Sequence, residues 1–294
     1  MHRNLIPYLV IFLTATLCSC ARSHRREIEE SRRVAHLSLD DVDVFGDLIR
    51  NQQEYDSLFQ HPLMAFLQEL HHEYGLRITL YTFEYFRYGD SYTCIEDMPL
   101  KYKDDFKKAS DWLRIGFHSK RAEIDSLVSV ADFRESYDNV NSAISQFADS
   151  TMIASTLRLH YFFAPDSLLN TLTGVRNLLC ADDDNRLSYN LTMAEAKALG
   201  NGGNIVKNEI TYRKTDLRAD DNYQLYIDLK RLESIDTLVV FAHEWKLWHN
   251  AEKFNTRRAS GKITLRSSEC VNKLIFKEIV KWLHDAGYEF SFLE

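Results

Sequence analysis

Residues 35–43 read AHLSLDDVD, a short apolar segment that runs directly into three acids. Buried parallel strands read as short, largely apolar runs, and in α/β folds polar groups at their carboxyl ends are the usual place for chemistry. The segment therefore predicts the first strand of a parallel sheet, with Asp40 and Asp41 at its functional end.

Similar segments recur along the chain, and helical patterns separate them. Residues 77–83 (RITLYTF) are rich in β-branched and aromatic residues, which is typical of a strand. The apolar residues before them have helical spacing and end at Gly75, a natural helix stop. Further strands are predicted at 112–117, 154–159, 175–180, 237–241 and 288–293, and further helices at 101–110, 131–147, 165–173, 225–232 and 270–286.

This alternation of strand and helix, without a sequence repeat, predicts an α/β fold. Seven to eight parallel strands with helices outside them are expected, most simply as a distorted (β/α) barrel. Residues 185–221 break the rhythm and are predicted to be an insertion, with a short helix that begins at the capping-box spacing of Thr192 and Glu195. Residues 34–294 are expected to form one domain, because about 260 residues is typical of such barrels.

The composition narrows the range of partners. The formal net charge is −7, so there is no basic surplus to attract nucleic acid. Cys94, Cys180 and Cys270 are far apart in the sequence, which predicts neither a disulfide framework nor a closely spaced zinc knuckle. We therefore expect no nucleic-acid partner.

The N-terminal residues have the pattern of an export segment. Residues 1–19 combine a basic start at Arg3, an apolar run too short to span a membrane, and a small-residue exit. The exit, LCSC, resembles a bacterial lipobox, which implies a cleaved signal peptide and a lipid on Cys20. Residues 20–33 are charged and form a tether, and Ala21 in place of Asp favours the outer membrane over the inner one. We expect a lipid-anchored protein of the bacterial cell envelope. The alternative is an ordinary signal peptide or membrane anchor in which the cysteines carry no lipid.

Charged side chains and histidines follow several of the predicted strands. A single histidine at the end of a strand is more often a structural hydrogen bonder than a functional group. The carboxyl ends of parallel strands meet at one rim, however, so several such residues are expected to converge there. The candidates are Asp40, Asp41, His118, Arg158, His160, residues 182–184, His243 and Glu244.

These segments resemble the motifs of the NodB-type polysaccharide deacetylases, carbohydrate esterase family four. SLDDVD at 38–43 is similar to the Thr-Phe-Asp-Asp opening, and GFHS at 116–119 to the start of the second motif, His-Ser/Thr-x-x-x-His. RLHYFFAP at 158–165 resembles the third motif loosely, and LVVFAHEW at 238–245 resembles the strand that ends in the catalytic histidine. LHDAGYEFSFL at 283–293 is similar to the closing helix and strand. The resemblance implies a (β/α) barrel that acts on glycans.

The resemblance also implies a role for each matched residue. Asp40 would be the general base that activates water, with Arg158 orienting it, and His243 would be the general acid that protonates the leaving group. Asp41 and His118 would be ligands of zinc or a similar divalent ion. The chemistry needs this set, because a metal polarises the acetyl carbonyl while a separate acid protonates the departing atom.

One position departs from the family's pattern. The second metal-binding histidine should lie four residues beyond His118, but Ala122 occupies that position. Catalytic zinc sites usually keep three protein ligands, so a third donor must come from elsewhere. His160, at the neighbouring strand end, is the best candidate; a histidine that packs on Tyr161 without a metal is the alternative.

Aromatic side chains near the candidate residues are a further feature of this rim. Trp245 and Trp248 closely follow His243, and aromatic rings offer flat apolar faces to ligands. They are therefore candidates for the wall of a sugar subsite.

Three functions are compatible with these observations. The leading hypothesis is a metal-dependent hydrolase that removes acetyl groups from a polysaccharide, and retention of Asp40, Asp41 and His243 favours it. The second is a catalytically silent glycan-binding lipoprotein on the same barrel, which Ala122 favours. The third is a metal-free glycoside hydrolase with two carboxylates such as Asp41 and Glu244.

Overall fold

A computed structural model describes residues 32–123, 129–164, 166–182, 187–220, 225–248 and 265–294. The predicted export segment, Cys20, the tether up to residue 31, Asp183 and Asp184 lie outside these residues. None of the helices among the described residues has the length and apolar character needed to cross a membrane.

The described strands and helices mostly alternate, and the exceptions include three successive strands at residues 78–94 and three at 205–218. In chain order they are β1 (Val34–Val42), α1 (Val44–Arg50), α2 (Pro62–Tyr74), β2 (Ile78–Phe83), β3 (Tyr85–Tyr88), β4 (Ser91–Cys94), α3 (Lys103–Lys108), β5 (Leu113–Ser119), α4 (Val130–Phe147), β6 (Thr156–Leu157), α5 (Asp166–Leu169), β7 (Asn177–Leu179), α6 (Met193–Gly200), β8 (Ile205–Lys207), β9 (Ile210–Arg213), β10 (Leu217–Arg218), α7 (Leu225–Leu232), β11 (Thr237–His243), α8 (Glu244–Leu247), α9 (Leu265–Asp285) and β12 (Glu289–Phe290).

Two sheets contain the parallel strands. The first has the order β10-β11-β1-β2-β5, and β12 also pairs with β1; all of these pairs are parallel. The second has the order β6-β7-β9-β8, and only the β8–β9 pair is antiparallel. A parallel bridge from Ile115 to Ile153 links β5 to the segment before β6. The predicted α/β class is confirmed.

Some predicted elements need correction. Among the described residues the parallel ladders lie in two sheets, β3 and β4 form a separate antiparallel pair, and no barrel is closed, so closure stays a prediction. Within the strand predicted at 154–159, only the two residues of β6 form a strand. The predicted insertion contributes three strands, β8, β9 and β10, and two of them, β9 and β10, pair with parallel strands. Its polar composition hid these short strands, because periodicity is unreliable over two to four residues.

Strand β1 is central to both the core and the polar interior. Ala35, Leu37 and Leu39 are at most 1% exposed, and on the same strand His36 and Asp40 are also buried. Successive side chains of a strand point to opposite faces, so one face of β1 is apolar and the other is polar. The polar face leads along the strand to Asp40.

The carboxyl end of β1 contains a bulge. Leu39 pairs with Leu80 of β2, and the next pair is Val42 with Thr82, so β1 has one extra residue here. Within the bulge Asp41 has φ 56°, the left-handed conformation that costs a non-glycine residue of order 1–3 kcal/mol. A bulge re-aims side chains at the rim of a sheet, and this one lies where the two predicted functional aspartates do.

Candidate active site and metal centre

Asp41, His118 and His160 meet at the carboxyl ends of β1, β5 and β6. Asp41 Oδ1 lies 3.2 Å from His118 Nε2 and 3.1 Å from His160 Nδ1. The same two histidine nitrogens lie 3.1 Å from each other. Among the described residues these three form a group whose ligand atoms are close enough to share one metal ion.

Backbone carbonyls orient both histidines. His118 Nδ1 contacts the carbonyl oxygen of Arg158, and His160 Nε2 lies 3.1 Å from that of Ala122. A carbonyl oxygen only accepts hydrogen bonds, so each of these nitrogens carries the proton. The other nitrogen of each ring faces Asp41: with a proton it can donate a hydrogen bond to the carboxylate, and without one it can offer its lone pair to a metal ion. Metal-binding histidines are usually held in this way.

The three atoms have the spacing of a tetrahedral ligand set. When ligand atoms lie about 2.1 Å from a tetrahedral zinc ion, they are separated from one another by about 3.4 Å. The three separations here are 3.1, 3.1 and 3.2 Å. The donor set of two imidazoles and one carboxylate therefore fits a divalent ion with an open coordination position.

The turn that carries His160 has an unusual backbone. Tyr161 and Phe162 both have φ 55°, although neither is glycine, and each conformation of this kind costs of order 1–3 kcal/mol. Tyr189 holds the turn from outside: its N–H donates to the carbonyl of Phe162 at 2.6 Å. Its hydroxyl accepts from the N–H of Leu159 at 3.2 Å and donates to the last carbonyl of β7 at 2.8 Å. The predicted insertion thus fixes the turn of the candidate third ligand.

The charge on Asp41 suits a ligand. Burial alone would raise the pKa of this carboxyl, but hydrogen bonds from His118 and His160 outweigh it and hold the pKa well below its usual range. The carboxylate is therefore ionised at neutral pH.

Asp40 lies beside this centre in a different environment. Its side chain is 5% exposed, and its Oδ2 lies 3.2 Å from Nε of the fully buried Arg158. Oδ1 is buried without a hydrogen-bond partner among the described residues. Burial raises the pKa of Asp40, and the charges of Arg158 and His118 act against that rise. A carboxylate with raised proton affinity and a fixed orientation is suited to take a proton.

His243 lies opposite Asp40 on the neighbouring strand and is paired with Asp220. Asp40 and His243 are register partners in β1 and β11. Asp220 Oδ2 accepts from the backbone N–H of His243 at 2.8 Å and from its Nδ1 at 2.6 Å. Burial acts to lower the pKa of His243, but the hydrogen bond and charge of Asp220 outweigh it, so the pKa is raised. Nδ1 carries the bonded proton, which leaves Nε2 to exchange a proton with a ligand.

Asp220 was not predicted from the sequence. It follows β10, and the sequence after that strand, ADD at 219–221, resembles the DDVD at the end of β1. The signal was hidden because β10 is two residues long and lies in the segment predicted to be an insertion.

Two of the sequence candidates lie elsewhere. Asp182 lines a separate cavity of about 740 Å³ with Gly202, Arg213 and Asp216. Glu244 is 2% exposed, and its charge acts on the buried Tyr88. A glycoside hydrolase needs both carboxylates to reach the sugar, so the pair of Asp41 and Glu244 does not suit that reaction.

Asp220→Asn should lower the pKa of His243. The amide removes the negative charge that favours the imidazolium, so His243 should lose its proton at a lower pH than in the wild type. An NMR titration of the imidazole resonances measures this shift directly. Asp216→Asn is the matched control, since Asp216 is a partly buried acid that accepts a hydrogen bond from the N–H of Val239. An unchanged His243 titration in Asp220→Asn would show that the pair does not set its protonation.

The sequence matches no family model and no curated protein, whereas several solved structures are similar to it. Peptidoglycan deacetylase PdaC from Bacillus subtilis is 12% identical, with 90% of this chain and 89% of that chain covered and a TM-score of 0.44. BA3943 from Bacillus anthracis, described as a family-four carbohydrate esterase pseudoenzyme, is 9% identical (88% and 63% covered, TM-score 0.39). The 4-α-glucanotransferase from Thermococcus litoralis is 10% identical (89% and 40% covered, TM-score 0.50). The family that the motifs resemble is thus among these matches, and at such identities the likeness concerns the fold alone.

Proposed function

We propose that this chain is a metal-dependent hydrolase that removes acetyl groups from a polysaccharide. The observation that carries the proposal is the triangle of Asp41, His118 and His160 donor atoms, 3.1–3.2 Å on each side. Asp40 and His243 lie on adjacent strands beside this triangle. This is the set that deacetylation requires: ligands for a divalent ion, one base and one acid.

Each residue has a task that follows from its contacts. Asp41, His118 and His160 would hold the ion, which when bound supplies Lewis-acid polarisation of the acetyl carbonyl. Asp40, held by Arg158, takes a proton from the attacking water. His243 is kept protonated by Asp220 and gives its Nε2 proton to the departing nitrogen or oxygen. The two proton carriers are register partners on the adjacent strands β1 and β11.

The test of this proposal is acetate release from acetylated glycans by the purified protein with Zn²⁺. We expect release that is lost after chelation and restored by the ion. Silent glycan binding on the same fold is the second candidate, favoured by Ala122 at the family's ligand position. A protein that binds Zn²⁺ and glycan but releases no acetate would establish that second candidate.

We further propose that the protein is anchored in the bacterial cell envelope through lipid on Cys20, with the outer membrane favoured. Cys20→Ser should therefore move the protein from the detergent-dependent membrane fraction to the soluble fraction. Cys18→Ser, two residues earlier, is the matched control and should stay in the membrane fraction. Retention of Cys20→Ser in that fraction would show that this cysteine does not carry the anchor.

A further inference from the structure

Trp245 contacts the carboxylate of Asp41 on the side away from the histidines. Its indole Nε1 donates a hydrogen bond to Asp41 Oδ2 at 3.0 Å, while Oδ1 is the oxygen that faces His118 and His160. Each oxygen of the carboxylate therefore has its own partners. Trp245 belongs to α8, and its ring centroid lies 5.6 Å from that of His243.

The backbone of Asp41 makes this contact important. Asp41 lies in the bulge of β1 with φ 56°, so its side chain leaves the strand at an irregular position. The carboxylate of an aspartate can rotate about the two single bonds of its side chain. Such rotation would turn its oxygens away from the two histidines. An indole N–H is a donor only, fixed in the plane of a large ring, so it selects one orientation of the carboxylate.

We infer that Trp245 is a positioning residue for the metal centre, a role that rests on the proposed function. It holds Asp41 so that Oδ1 completes the triangle with the two imidazole nitrogens. Outer partners of ligating carboxylates and histidines contribute roughly 10–100-fold to metal affinity. The carbonyls of Arg158 and Ala122 have this task for the histidines, and Trp245 has it for the aspartate.

This role differs measurably from that of a sugar-binding wall. A wall needs the flat ring, which Phe retains, whereas positioning needs the N–H, which Phe lacks. Trp245→Phe therefore removes the hydrogen bond and keeps most of the apolar surface. In Trp245→Phe, positioning predicts a loss of metal affinity, while a wall role alone predicts unchanged metal affinity and largely unchanged glycan binding.

The experiment is a competition titration of Zn²⁺ between the purified protein and a chromophoric chelator. We expect the Kd for Zn²⁺ to rise about tenfold or more in Trp245→Phe. Trp248→Phe is the matched control, because Trp248 packs against His61 and Lys273, and its Kd should equal that of the wild type. Trp245→Leu, which also offers no hydrogen-bond donor, is a second variant, and thermal unfolding without metal verifies that each variant is folded.

The outcomes separate the inference from the proposed function. Wild-type affinity in both folded Trp245 variants would overturn the positioning role alone. A wild-type protein that binds no Zn²⁺ at micromolar concentrations would overturn the proposed metal site and the inference with it. Weakened binding in both variants, with Trp248→Phe unchanged, supports the inference.

Discussion

His160→Ala is expected to abolish stable metal binding and, with it, the release of acetate. The substitution removes one of three ligands, and Asp41 and His118 alone hold a catalytic ion poorly. We expect the Kd for Zn²⁺ to rise by more than about 100-fold, because loss of a ligand costs more than loss of an outer partner. The same competition titration and an acetate assay measure both effects.

The fold should survive this change, since His160 is a rim side chain. His72→Ala is a suitable control, because His72 is an exposed histidine of α2 whose described ring contact is with His71. It should alter neither metal affinity nor acetate release. Full metal occupancy in His160→Ala would show that the third ligand lies elsewhere, and the assignment of the triangle would then be wrong.

Asp40→Asn should lower the rate of acetate release by about 10²–10⁴-fold while Zn²⁺ still binds. The amide cannot take the proton of the attacking water, yet it leaves Asp41 and both histidines in place. It also removes the charge that faces the buried Arg158, so the free energy of unfolding should fall by up to about 3–5 kcal/mol. Kinetics with acetylated glycan, Zn²⁺ titration and chemical unfolding measure the three quantities.

Asp216→Asn is the control for a partly buried aspartate outside the site. Burial raises the pKa of Asp216 to about 6, so its carboxylate is not strongly stabilised by the fold, and the amide should preserve both rate and metal affinity. Near wild-type turnover in Asp40→Asn would exclude Asp40 as the base.

Much of the site could be predicted because its residues end strands. Asp40, Asp41, His118 and His243 each follow an apolar segment, and the carboxyl ends of parallel strands meet at one rim. The position of His160 followed from the same rule and from the absence of histidine at residue 122. The structure places these residues together, and their chemical roles remain the proposals tested above.

The rest could not be predicted because it depends on backbone geometry and on short elements. Ala122 contributes its carbonyl oxygen to His160, and a carbonyl has no signature in a sequence. The left-handed backbone at Tyr161 and Phe162 has no glycine to mark it. Asp220 follows a strand of two residues, which is too short for a periodic pattern.

The contact between Trp245 and Asp41 required the tertiary structure. The two residues are 204 positions apart, and they meet because β1 and β11 are adjacent strands. From the sequence, Trp245 was interpreted only as a candidate sugar-binding wall. The register of the parallel pair and the bulge at Asp41 together bring the indole to the carboxylate.

The central claim is that one divalent ion is held by Asp41, His118 and His160. The most direct measurement is anomalous X-ray diffraction at the zinc edge from crystals of the protein grown with Zn²⁺. We expect one strong anomalous peak about 2.0–2.2 Å from Asp41 Oδ1, His118 Nε2 and His160 Nδ1. A zinc ion bound by other residues would contradict the assignment of these three ligands. The absence of a peak near these three atoms, in crystals saturated with Zn²⁺, would contradict it as well.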